Sequence, residues 1–450
     1  QSLSGAIEWS YDLLSPDERR LFEQLGVFAG GCDEEVIADV DAMLEGGRSG
    51  IPDGAGKERS VLTRRLLSAL VEKSLLQYAL TAEGAPRYQM LESLREYALE
   101  KLHAAGRLEA ARLAHAEHYL RLALAARPHL TGGEQQRWLN QLELEHNNLR
   151  AALAWATETP GRGEFALTLA EAMWNFWNIR GYLSEGRRWL EKALALSETA
   201  SELRGRALSG AGWLAQLQGD YSTAQRLQEQ ALADHELLDD EPGMCRSLEH
   251  LAILAGRQDN YPRTGELLER SLAIRRRLGD LMALVPPLSN LGIVNRRLGN
   301  LARAEELYRE GADLCRALGN QKSLSHTQHG LAEIRAEQGD DAGALALFRE
   351  CIAIRHRLGN RTELTNSLFD IAIPLSHLGD DLTAARLMSA AAKLRADLGV
   401  AESPTNHAES EKVIAAVRAQ VGATIFKQAW AAGQTMSLDE AVALALGGTA

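Results

Sequence analysis

Small and apolar positions recur along this chain with a period of 40 residues, separated by polar turn residues. The turns share a Gly or Asp followed by Asp or Asn, and they are Gly219-Asp220, Asp259-Asn260, Gly299-Asn300, Gly339-Asp340 and Gly379-Asp380. Halfway between them lies a second series, Leu238-Asp239, Leu278-Gly279, Leu318-Gly319, Leu358-Gly359 and Leu398-Gly399. A fixed period of this length is typical of a solenoid, whose units bury their apolar faces against their neighbours.

Each unit also carries small residues at fixed distances from its turn. Before the turn they are Gly212, Ala252, Gly292, Ala332 and Ala372; after it they are Ala224, Thr264, Ala304, Ala344 and Ala384, then Ala231, Ser271, Gly311, Cys351 and Ala391. Two helices approach closely only where side chains are small, so the pattern predicts helix pairs joined by tight turns. Gly or Asn at the turn accepts the left-handed conformation, and the following Asp or Asn can cap the next helix.

The pattern resembles the tetratricopeptide repeat (TPR), with a second helix extended beyond the usual unit of about 34 residues. A sixth unit precedes the five through Gly181, Gly186 and Ala193, and its turn lies 38 residues before the next one. Aromatic residues are dense there, at Trp174, Phe176, Trp177, Tyr182, Trp189 and Trp213. We favour packing of this first repeat on the preceding domain, with an aromatic-lined ligand pocket as the alternative.

The segment before the repeats has a different pattern. Ser15-Pro16-Asp17-Glu18 is a capping box that starts a helix. Further helices are predicted at Glu34–Met43, Val61–Lys73 and Glu92–Ala104, with a Gly-rich loop at 46–56 and strands at Leu75–Leu80 and Arg87–Leu91 across a turn containing Gly84 and Pro86. Three helices and a hairpin match a winged helix.

The predicted fold class is therefore all-α: a TPR-like, right-handed α-solenoid preceded by a small winged-helix domain with a short β-hairpin. The predicted domains are a winged helix at 1–105, a helical connector at 106–160, six repeats at 161–400 and a helical cap at 401–450. In the cap, Ser403-Pro404 marks a break, helices follow at 409–421 and 425–432, and Ser437-Leu438-Asp439-Glu440 is a second capping box. A solenoid needs such a terminal unit to cover its exposed apolar end.

The order of several phrases resembles the winged-helix region of STAND-class signalling ATPases, particularly bacterial transcriptional regulators of the LuxR and antibiotic-regulator types. The phrases are Ile7-Glu8-Trp9-Ser10-Tyr11-Asp12-Leu13-Leu14, Leu21-Phe22, Val27-Phe28-Ala29-Gly30-Gly31, Leu70-Val71-Glu72-Lys73-Ser74-Leu75, Tyr88-Gln89-Met90-Leu91-Glu92-Ser93-Leu94-Arg95-Glu96-Tyr97-Ala98, Trp138-Leu139 and Glu145-His146-Asn147-Asn148-Leu149-Arg150-Ala151-Ala152-Leu153. Together with the repeats, they cover nearly the whole chain.

The resemblance implies that the repeats are a sensor, and that ATP or ADP and Mg²⁺ bind a separate nucleotide-binding domain upstream of the winged helix. Because the chain starts at Gln1 within a helical pattern, we expect it to be a piece of a longer polypeptide. The wider family often carries Met-His-Asp where this chain has Met90-Leu91-Glu92, and that histidine contacts ADP. Leu91 cannot make this contact.

The composition and net charge argue against several classes of function. A net charge of −12 argues against bulk phosphate-backbone binding. The four cysteines have no metal-ligand or paired spacing and are expected to be buried thiols in a reducing cytoplasm. No apolar stretch is long enough to cross a bilayer, and no signal peptide is visible, so we expect a cytoplasmic protein without a membrane partner.

The sequence carries no enzyme signature. Gly54-Ala55-Gly56-Lys57 fails as a phosphate loop, because Ile51 replaces the first glycine and Glu58 replaces the hydroxyl residue. His115 and His118 lie near Glu117, and His326, His329 and Glu333 share one helical face. Solvated or groove-lining histidines explain both sets better than a metal, which needs three or four converging ligands. We predict no catalytic, cofactor or metal site in this chain.

The first helix of each TPR unit lines a concave groove, which we expect to bind a protein, a peptide or a small effector. The predicted groove residues are Arg206, Trp213, Glu249, His250, Asn290, Arg296, His329, Glu333, Asn366 and Asp370. The predicted function is the sensor and switch portion of a STAND-type regulator, relayed through the winged helix to its own upstream nucleotide-binding domain. The alternatives are a non-switching TPR scaffold and DNA binding by the winged helix through Arg59, Arg64, Arg65 and Lys73.

Overall fold

The computed structural model describes residues 3–44, 55–81, 84–399 and 404–448, and it forms two compact units, Gln1–Gly243 and Met244–Ala450. Each unit has a buried apolar core of its own. Within the described ranges, no helix is both long and apolar enough to cross a membrane. The four cysteines are buried thiols, as predicted.

The first unit opens with the elements of a winged helix. These are α1 (Leu3–Asp12), α2 (Pro16–Leu25), α3 (Glu34–Leu44), α4 (Ala55–Glu72), β1 (Gln77–Leu80), β2 (Pro86–Gln89) and α5 (Glu92–Ala104). The capping box at α2 is formed: Glu18 N donates to Ser15 Oγ over 3.3 Å, and Ser15 N donates to Glu18 Oε2 over 2.7 Å. The predicted loop at 46–56 lies mostly outside the described residues, and its last two positions already belong to α4.

The hairpin is antiparallel, with Gln77 opposite Gln89 and Leu80 opposite Pro86. Cys32 extends it from the other side, since its N–H donates to the Tyr88 carbonyl over 2.9 Å and its carbonyl accepts from Tyr88 N over 2.8 Å. This bridge fixes the segment before α3 against the wing. The left-handed Gly31, at φ 72°, stands directly before it, and a Cβ there would lie 2.7 Å from the Tyr88 carbonyl oxygen.

Connector helices and the first two repeats complete this unit. The connector consists of α6 (Leu108–Ala126), a 3₁₀ turn (Arg127–His129), α7 (Gln135–Leu144) and α8 (His146–Glu158). The repeat helices are α9 (Gly163–Arg180), α10 (Leu183–Leu194), α11 (Glu202–Leu217) and α12 (Tyr221–Leu237). In the aromatic first repeat, Phe176 and Tyr182 contact His146 of α8, with ring centroids 5.1 and 4.8 Å apart. The packing interpretation of these aromatic residues is therefore the one that the structure supports.

The remaining repeats begin at α13. The boundary between the two compact units, at Gly243 and Met244, falls within this helix. Their helices are α13 (Glu241–Arg257), α14 (Tyr261–Leu278), α15 (Leu281–Arg297), α16 (Leu301–Ala317), α17 (Gln321–Glu337), α18 (Asp341–Arg357), α19 (Arg361–Asp370), α20 (Ala372–His377) and α21 (Asp381–Asp397). The second unit ends with α22 (Pro404–Val421), α23 (Ala423–Thr435) and α24 (Leu438–Ala445), and α24 starts at the predicted capping box of Ser437.

The turns adopt the predicted left-handed conformation. Positive φ angles occur at both series of turn residues, namely Gly219, Asp239, Asp259, Gly279, Gly299, Gly319, Gly339, Gly359, Gly379 and Gly399. Asp220, Asn260, Asp340 and Asp380 cap the following helices through side-chain oxygens. Asn300 does not, because its side chain accepts no bond from the first turn of α16. The capping prediction is wrong at that position.

Two details of the repeat differ from the prediction. The extra length is not confined to the second helix, because α15, α16, α17 and α18 each contain 17 residues. The first helix of the last repeat is also divided into α19 and α20. Pro374 accounts for this division, since it has no N–H to donate to the Asp370 carbonyl. Asp370 consequently lies at the C-terminal end of α19.

Candidate functional site

Four of the predicted groove residues converge in the second unit. Arg296 comes from the last turn of α15, His329 and Glu333 lie one turn apart on α17, and Asp370 ends α19. Residues four apart project from the same face of a helix, which brings His329 and Glu333 together. The break before Pro374 ends α19 at Asp370, beside them.

These four residues and Glu337 form a network of ion pairs. Arg296 Nη2 lies 3.0 Å from Glu333 Oε1, and Arg296 Nη1 donates to Glu337 Oε1 over 2.7 Å. His329 Nε2 lies 3.2 Å from Asp370 Oδ2. Three carboxylates thus share one guanidinium and one imidazole.

Burial and these neighbours shift the pKa values. Although burial opposes its charge, hydrogen bonds to Asp370 and Cys351 raise the pKa of His329 to about 10. Burial raises the pKa of Glu333, against the effect of the nearby His329 and Arg296. The pKa of Arg296 is raised because Glu333 and Glu337 outweigh burial.

Arg296, Glu333, Glu337 and Asp370 of this cluster line a cleft of about 220 Å³, which we call the acidic cleft. Its lining residues are Arg296, Glu333, Ala336, Glu337, Phe348, Asp370, Ile373 and His377. The sequence did not predict Ala336, Glu337, Phe348, Ile373 and His377 as groove residues. Glu337 could have been found, since it follows Glu333 by one helical turn on the same face. Phe348 could not, because it comes from the second helix of its repeat and reaches the groove only through tertiary packing.

His329, Glu333 and Asp370 form a three-residue group with metal-ligand atoms within 4.8 Å of one another, in the part of the chain that the structure describes. The prediction that His329 and Glu333 share one helical face is therefore confirmed. The His329 ring contacts Asp370 rather than solvent. His326 is not part of this group, and burial lowers its pKa.

A second cleft of about 220 Å³ is mostly apolar; we call it the apolar cleft. It is lined by Ala252, Ile253, Gly256, Tyr261, Thr264, Leu268, Asn290, Ile293 and Val294. Among the predicted groove residues, Asn290 lies here. The structure therefore brings the first helices α13 and α15 together at this cleft, with α14 as its floor.

The other predicted groove residues have different surroundings. Glu249 accepts a hydrogen bond over 2.7 Å from Nε of Arg275, on the second helix of its own repeat. His250 is half-buried, and this desolvation lowers its pKa to about 4. Arg206 donates through Nε to the buried Glu171 over 3.0 Å. Trp213 is half-buried on α11, and Asn366 is exposed on α19.

In the first unit, a buried polar network joins the wing to the connector. Arg87 of β2 donates from Nη1 to Glu145 Oε1 over 2.6 Å, and these side chains are only 12% and 1% exposed. Arg87 also donates to the carbonyls of Gly30 and Gly31, each over 2.9 Å. Glu145 accepts a further bond from the Tyr119 hydroxyl over 2.9 Å.

Asn148 completes this network. Its Oδ1 accepts from Ala29 N over 2.9 Å and Gly30 N over 3.3 Å, while its Nδ2 donates to the Gly31 carbonyl over 2.8 Å. The two phrases 27–31 and 145–153, which the sequence alone could only place in order, are therefore in direct contact. We call this set of contacts among Ala29–Gly31, Arg87, Glu145 and Asn148 the joint.

Helix α8 is also bonded on its other side, to the first repeat. Arg150 donates to both carboxylate oxygens of Glu185 on α10, from Nε over 2.7 Å and from Nη2 over 2.6 Å. His146 Nε2 lies 3.3 Å from the same carboxylate. One short helix thus connects the winged helix with the repeat array inside a single compact unit.

The paired histidines of α6 are not solvated, which corrects the expectation from sequence. His115 is buried against the joint, with Nε2 3.4 Å from Asn148 Oδ1, and burial lowers its pKa to about 3. His118 Nδ1 lies 2.7 Å from Asp39 Oδ2 of α3. Both side chains therefore attach α6 to its neighbours, because α6 packs between the winged helix and α8.

The buried His115 makes the first unit sensitive to acid. Its folded-state pKa lies below the unfolded value of about 6.5, so its contribution is present above that pH and is lost as the pH falls toward 3. Between pH 7 and pH 5 this one group should remove about 2 kcal/mol from the free energy of unfolding. Urea denaturation followed by tryptophan fluorescence should show a shallower pH dependence in His115→Gln. Equal slopes in the two proteins would contradict this assignment.

Two of the basic residues in and directly after α4 pair with carboxylates of the same domain. Arg64 Nε lies 2.9 Å from Glu34 Oε2, and Lys73 Nζ lies 2.7 Å from Glu18 Oε2. Arg65 is exposed, and the side chain of Arg59 lies outside the described residues. Two of the four proposed DNA contacts are thus paired with carboxylates.

Comparison with known families agrees with these elements. Residues 54–103 match a winged helix-turn-helix domain, and residues 243–317 and 324–358 match tetratricopeptide repeats. A STAND (Signal Transduction ATPase with Numerous Domains) protein with a tetratricopeptide repeat sensor from Pyrococcus horikoshii shares the fold. Its TM-score is 0.50 at 14% identity, over 95% of this chain and 64% of that one.

The curated relatives are mycobacterial. A candidate HTH-type transcriptional regulator of Mycobacterium tuberculosis (strain ATCC 25618 / H37Rv) is 33% identical over 257 residues, which cover 55% of this chain and 27% of the relative. Its counterpart in Mycobacterium bovis gives the same values. The chain thus spans about a quarter of the length of these relatives. It carries a winged helix-turn-helix domain followed by tetratricopeptide repeats, and it is homologous to these candidate HTH-type transcriptional regulators.

Proposed function

We propose that this chain is the sensor and relay portion of a STAND-type signalling ATPase and transcriptional regulator. In this proposal the TPR groove binds an effector, and the winged helix passes the change to a nucleotide-binding domain elsewhere in the protein. The homology to candidate transcriptional regulators and the fold shared with a TPR-sensor STAND protein support the class. A binding role, rather than catalysis, fits the groove.

The observation that carries the relay is the position of α8. Its N-terminal end holds Glu145 and Asn148, which bind the wing and the turn at Ala29–Gly31, while Arg150 binds Glu185 of the first repeat. From Glu145 to Arg150 the helix rises by about 7.5 Å, so a shift at one end is transmitted to the other as a rigid body. A ligand that binds the protein more tightly when α8 is in one position than in another would raise the population of the first position.

Hydrogen exchange tests this coupling without knowledge of the effector. In Glu185→Gln the carboxylate that holds Arg150 is neutralised, and we expect faster exchange of the Ala29 and Gly30 amides, which Asn148 protects from the other end of α8. Glu191→Gln is the matched control, because Glu191 lies on the same helix but pairs within it, with Arg187. Unchanged exchange at Ala29 and Gly30 in Glu185→Gln would favour a non-switching scaffold.

DNA binding by the winged helix is the weaker alternative, because Arg64 and Lys73 already pair with Glu34 and Glu18. A gel-shift titration over a range of salt concentrations distinguishes it. Sequence-selective, salt-sensitive binding by this chain would overturn our preference, and failure to shift DNA at low salt would support it.

A further inference from the structure

The apolar cleft is open because its repeat carries smaller side chains than the next one. Leu268 lines it where the following repeat has Tyr308, 40 residues later. The Tyr308 ring is buried against Gly330, which is the equivalent of Asn290 in the cleft. Gly256 also lines the cleft, and a Cβ there would meet no atom nearer than 3.7 Å. The next repeat fills the same space, so these residues set the cleft and the solenoid geometry alone does not.

Asn290 adds a polar group to the wall of this apolar space. Its side chain is partly buried and makes no hydrogen bond to any residue that the structure describes. A carboxamide offers both a donor NH₂ group and an acceptor oxygen. A peptide unit offers the complementary pair, an acceptor C=O and a donor N–H. The amide of Asn290 can therefore pair with the backbone of an extended chain.

Two arginines of α13 flank the cleft. Arg246 and Arg257 project from the same face of α13 as Ile253, because intervals of seven and four residues are close to whole helical turns. Both arginines are exposed, and neither forms an ion pair within the described ranges of the chain. By contrast, Arg275 of the same repeat is held by Glu249. The cleft thus lies between two positive charges that no carboxylate of the described residues neutralises.

The spacing of these charges distinguishes a peptide from a small amphiphile. Arg246 lies about 10.5 Å before Ile253 along the axis of α13, and Arg257 lies about 6 Å after it. A fatty acid has one carboxylate, so it reaches only one of the two arginines. An extended chain advances about 3.3 Å per residue, so acidic side chains two or three residues from an apolar one reach both.

We propose that the face formed by α13 and α15 binds an extended acidic peptide segment, in which an apolar residue lies between two Asp or Glu residues. The apolar side chain enters the apolar cleft, the carboxylates pair with Arg246 and Arg257, and Asn290 binds the peptide backbone. This inference deepens the proposed sensor function, on which it rests for its biological meaning, and it names the class of effector. The binding itself can be measured on this chain.

The test uses an end-capped, fluorescein-labelled heptapeptide, in which a central Leu has Glu two residues away on either side and Gly or Ser elsewhere. Its sequence reads the same in both directions, so the direction of binding need not be known. One matched peptide replaces both Glu by Gln, and the other replaces Leu by Ser. Fluorescence anisotropy should give the parent peptide a Kd about tenfold or more below that of either matched peptide. Added NaCl should reduce its advantage over the Gln peptide.

Gly256→Met tests the cleft itself, because the new side chain fills the space and removes no existing contact. Met also favours a helix over Gly, so the fold should be retained. This variant should weaken the parent peptide about tenfold and leave the Ser peptide unchanged. Ala336→Met is the matched control, because residue 336 occupies the equivalent position two repeats later. Circular dichroism verifies that each variant is folded.

Arg246→Gln with Arg257→Gln tests the charges. This double variant should weaken the parent peptide about tenfold and leave the Gln peptide unaffected. Arg276→Gln with Arg303→Gln is the charge-matched control, because these arginines lie on the second helices α14 and α16, where each pairs with a glutamate. Asn290→Ala should weaken all three peptides by the same factor, since it removes a contact with their common backbone.

Several outcomes would overturn the inference. Equal affinity for the parent and Gln peptides, undiminished binding in Gly256→Met, or no binding by any of the three peptides would each do so. Displacement of the parent peptide by an equal concentration of sodium decanoate would replace it by an amphiphile with one anion. If no peptide binds but Glu185→Gln still alters exchange at Gly30, the ligand class is wrong and the relay stands. If the parent peptide binds as described and that coupling is absent, the inference stands and the relay is wrong.

Discussion

Replacing Arg87 by Met is expected to destabilise the first unit by about 3–5 kcal/mol, because it leaves the Glu145 carboxylate, 1% exposed, without its cation. Met fills most of the volume of the arginine stem, so the loss reports the charge and the hydrogen bonds to Gly30 and Gly31 rather than a cavity. Urea denaturation followed by tryptophan fluorescence measures it, since seven of the eight tryptophans lie before Gly243.

Arg64→Met is the matched control in the same domain. Its ion pair with Glu34 is at the surface, with the Arg64 side chain 68% exposed, and such pairs contribute about 0–1 kcal/mol. A loss of similar size in the two variants would show that the joint is no more important than a surface pair. In Arg87→Met we further expect Ala29 and Gly30 to exchange faster, because their partner Asn148 donates to Glu145 over 2.8 Å.

Replacing Tyr308 by Ala is expected to destabilise the second unit by about 3–5 kcal/mol. The ring is 1% exposed and lies between α15 and α17, against two glycines. A Cβ at Gly292 would stand 2.7 Å from ring atoms of Tyr308, and one at Gly330 would come closer still. At position 292, the small residue of the 40-residue pattern is therefore glycine, because the ring of Tyr308 occupies the space that a Cβ would need. Guanidinium denaturation followed by far-ultraviolet circular dichroism measures the loss.

A double-mutant cycle separates this packing from the effect of helix propensity. Gly292→Ala alone should cost about 1–3 kcal/mol through overpacking. In the Tyr308→Ala background the same substitution should be neutral or stabilising, since the ring is gone and Ala favours a helix over Gly by about 1 kcal/mol. Additive effects of the two substitutions would contradict the contact. Gly265→Ala is a control, because a Cβ there would meet only Val294, at 3.5 Å.

Local patterns predicted the secondary structure well. The capping boxes at Ser15 and Ser437 start helices as predicted, and α5 has the predicted bounds, Glu92–Ala104. The left-handed turns follow from Gly, and from Asp at positions 239 and 259, because few residues tolerate positive φ. These features depend on neighbours in sequence, so a single chain is sufficient to find them.

Side-chain partners were predicted less well, because they depend on contacts between helices. Glu249 occupies a groove offset but binds Arg275 of its own repeat. Asn300 follows the same turn pattern as Asp340 and yet leaves its helix uncapped. Pro374 is a local signal for the division between α19 and α20, whereas the 40-residue period alone predicts one continuous helix there. Domain boundaries and groove residues remain predictions.

The sequence by itself determined that this protein is helical and repetitive, since period, small residues and turn chemistry all act locally. It also placed the phrases 27–31 and 145–153 in a recognisable order. Only the tertiary structure decided that these two phrases and Arg87 form one buried joint, which α8 links to the first repeat, because burial of a charge forces its partners together across 58 residues of sequence. It likewise decided that Arg296, Glu333 and Asp370 meet, since a helix break and the stacking of three helices set their distance.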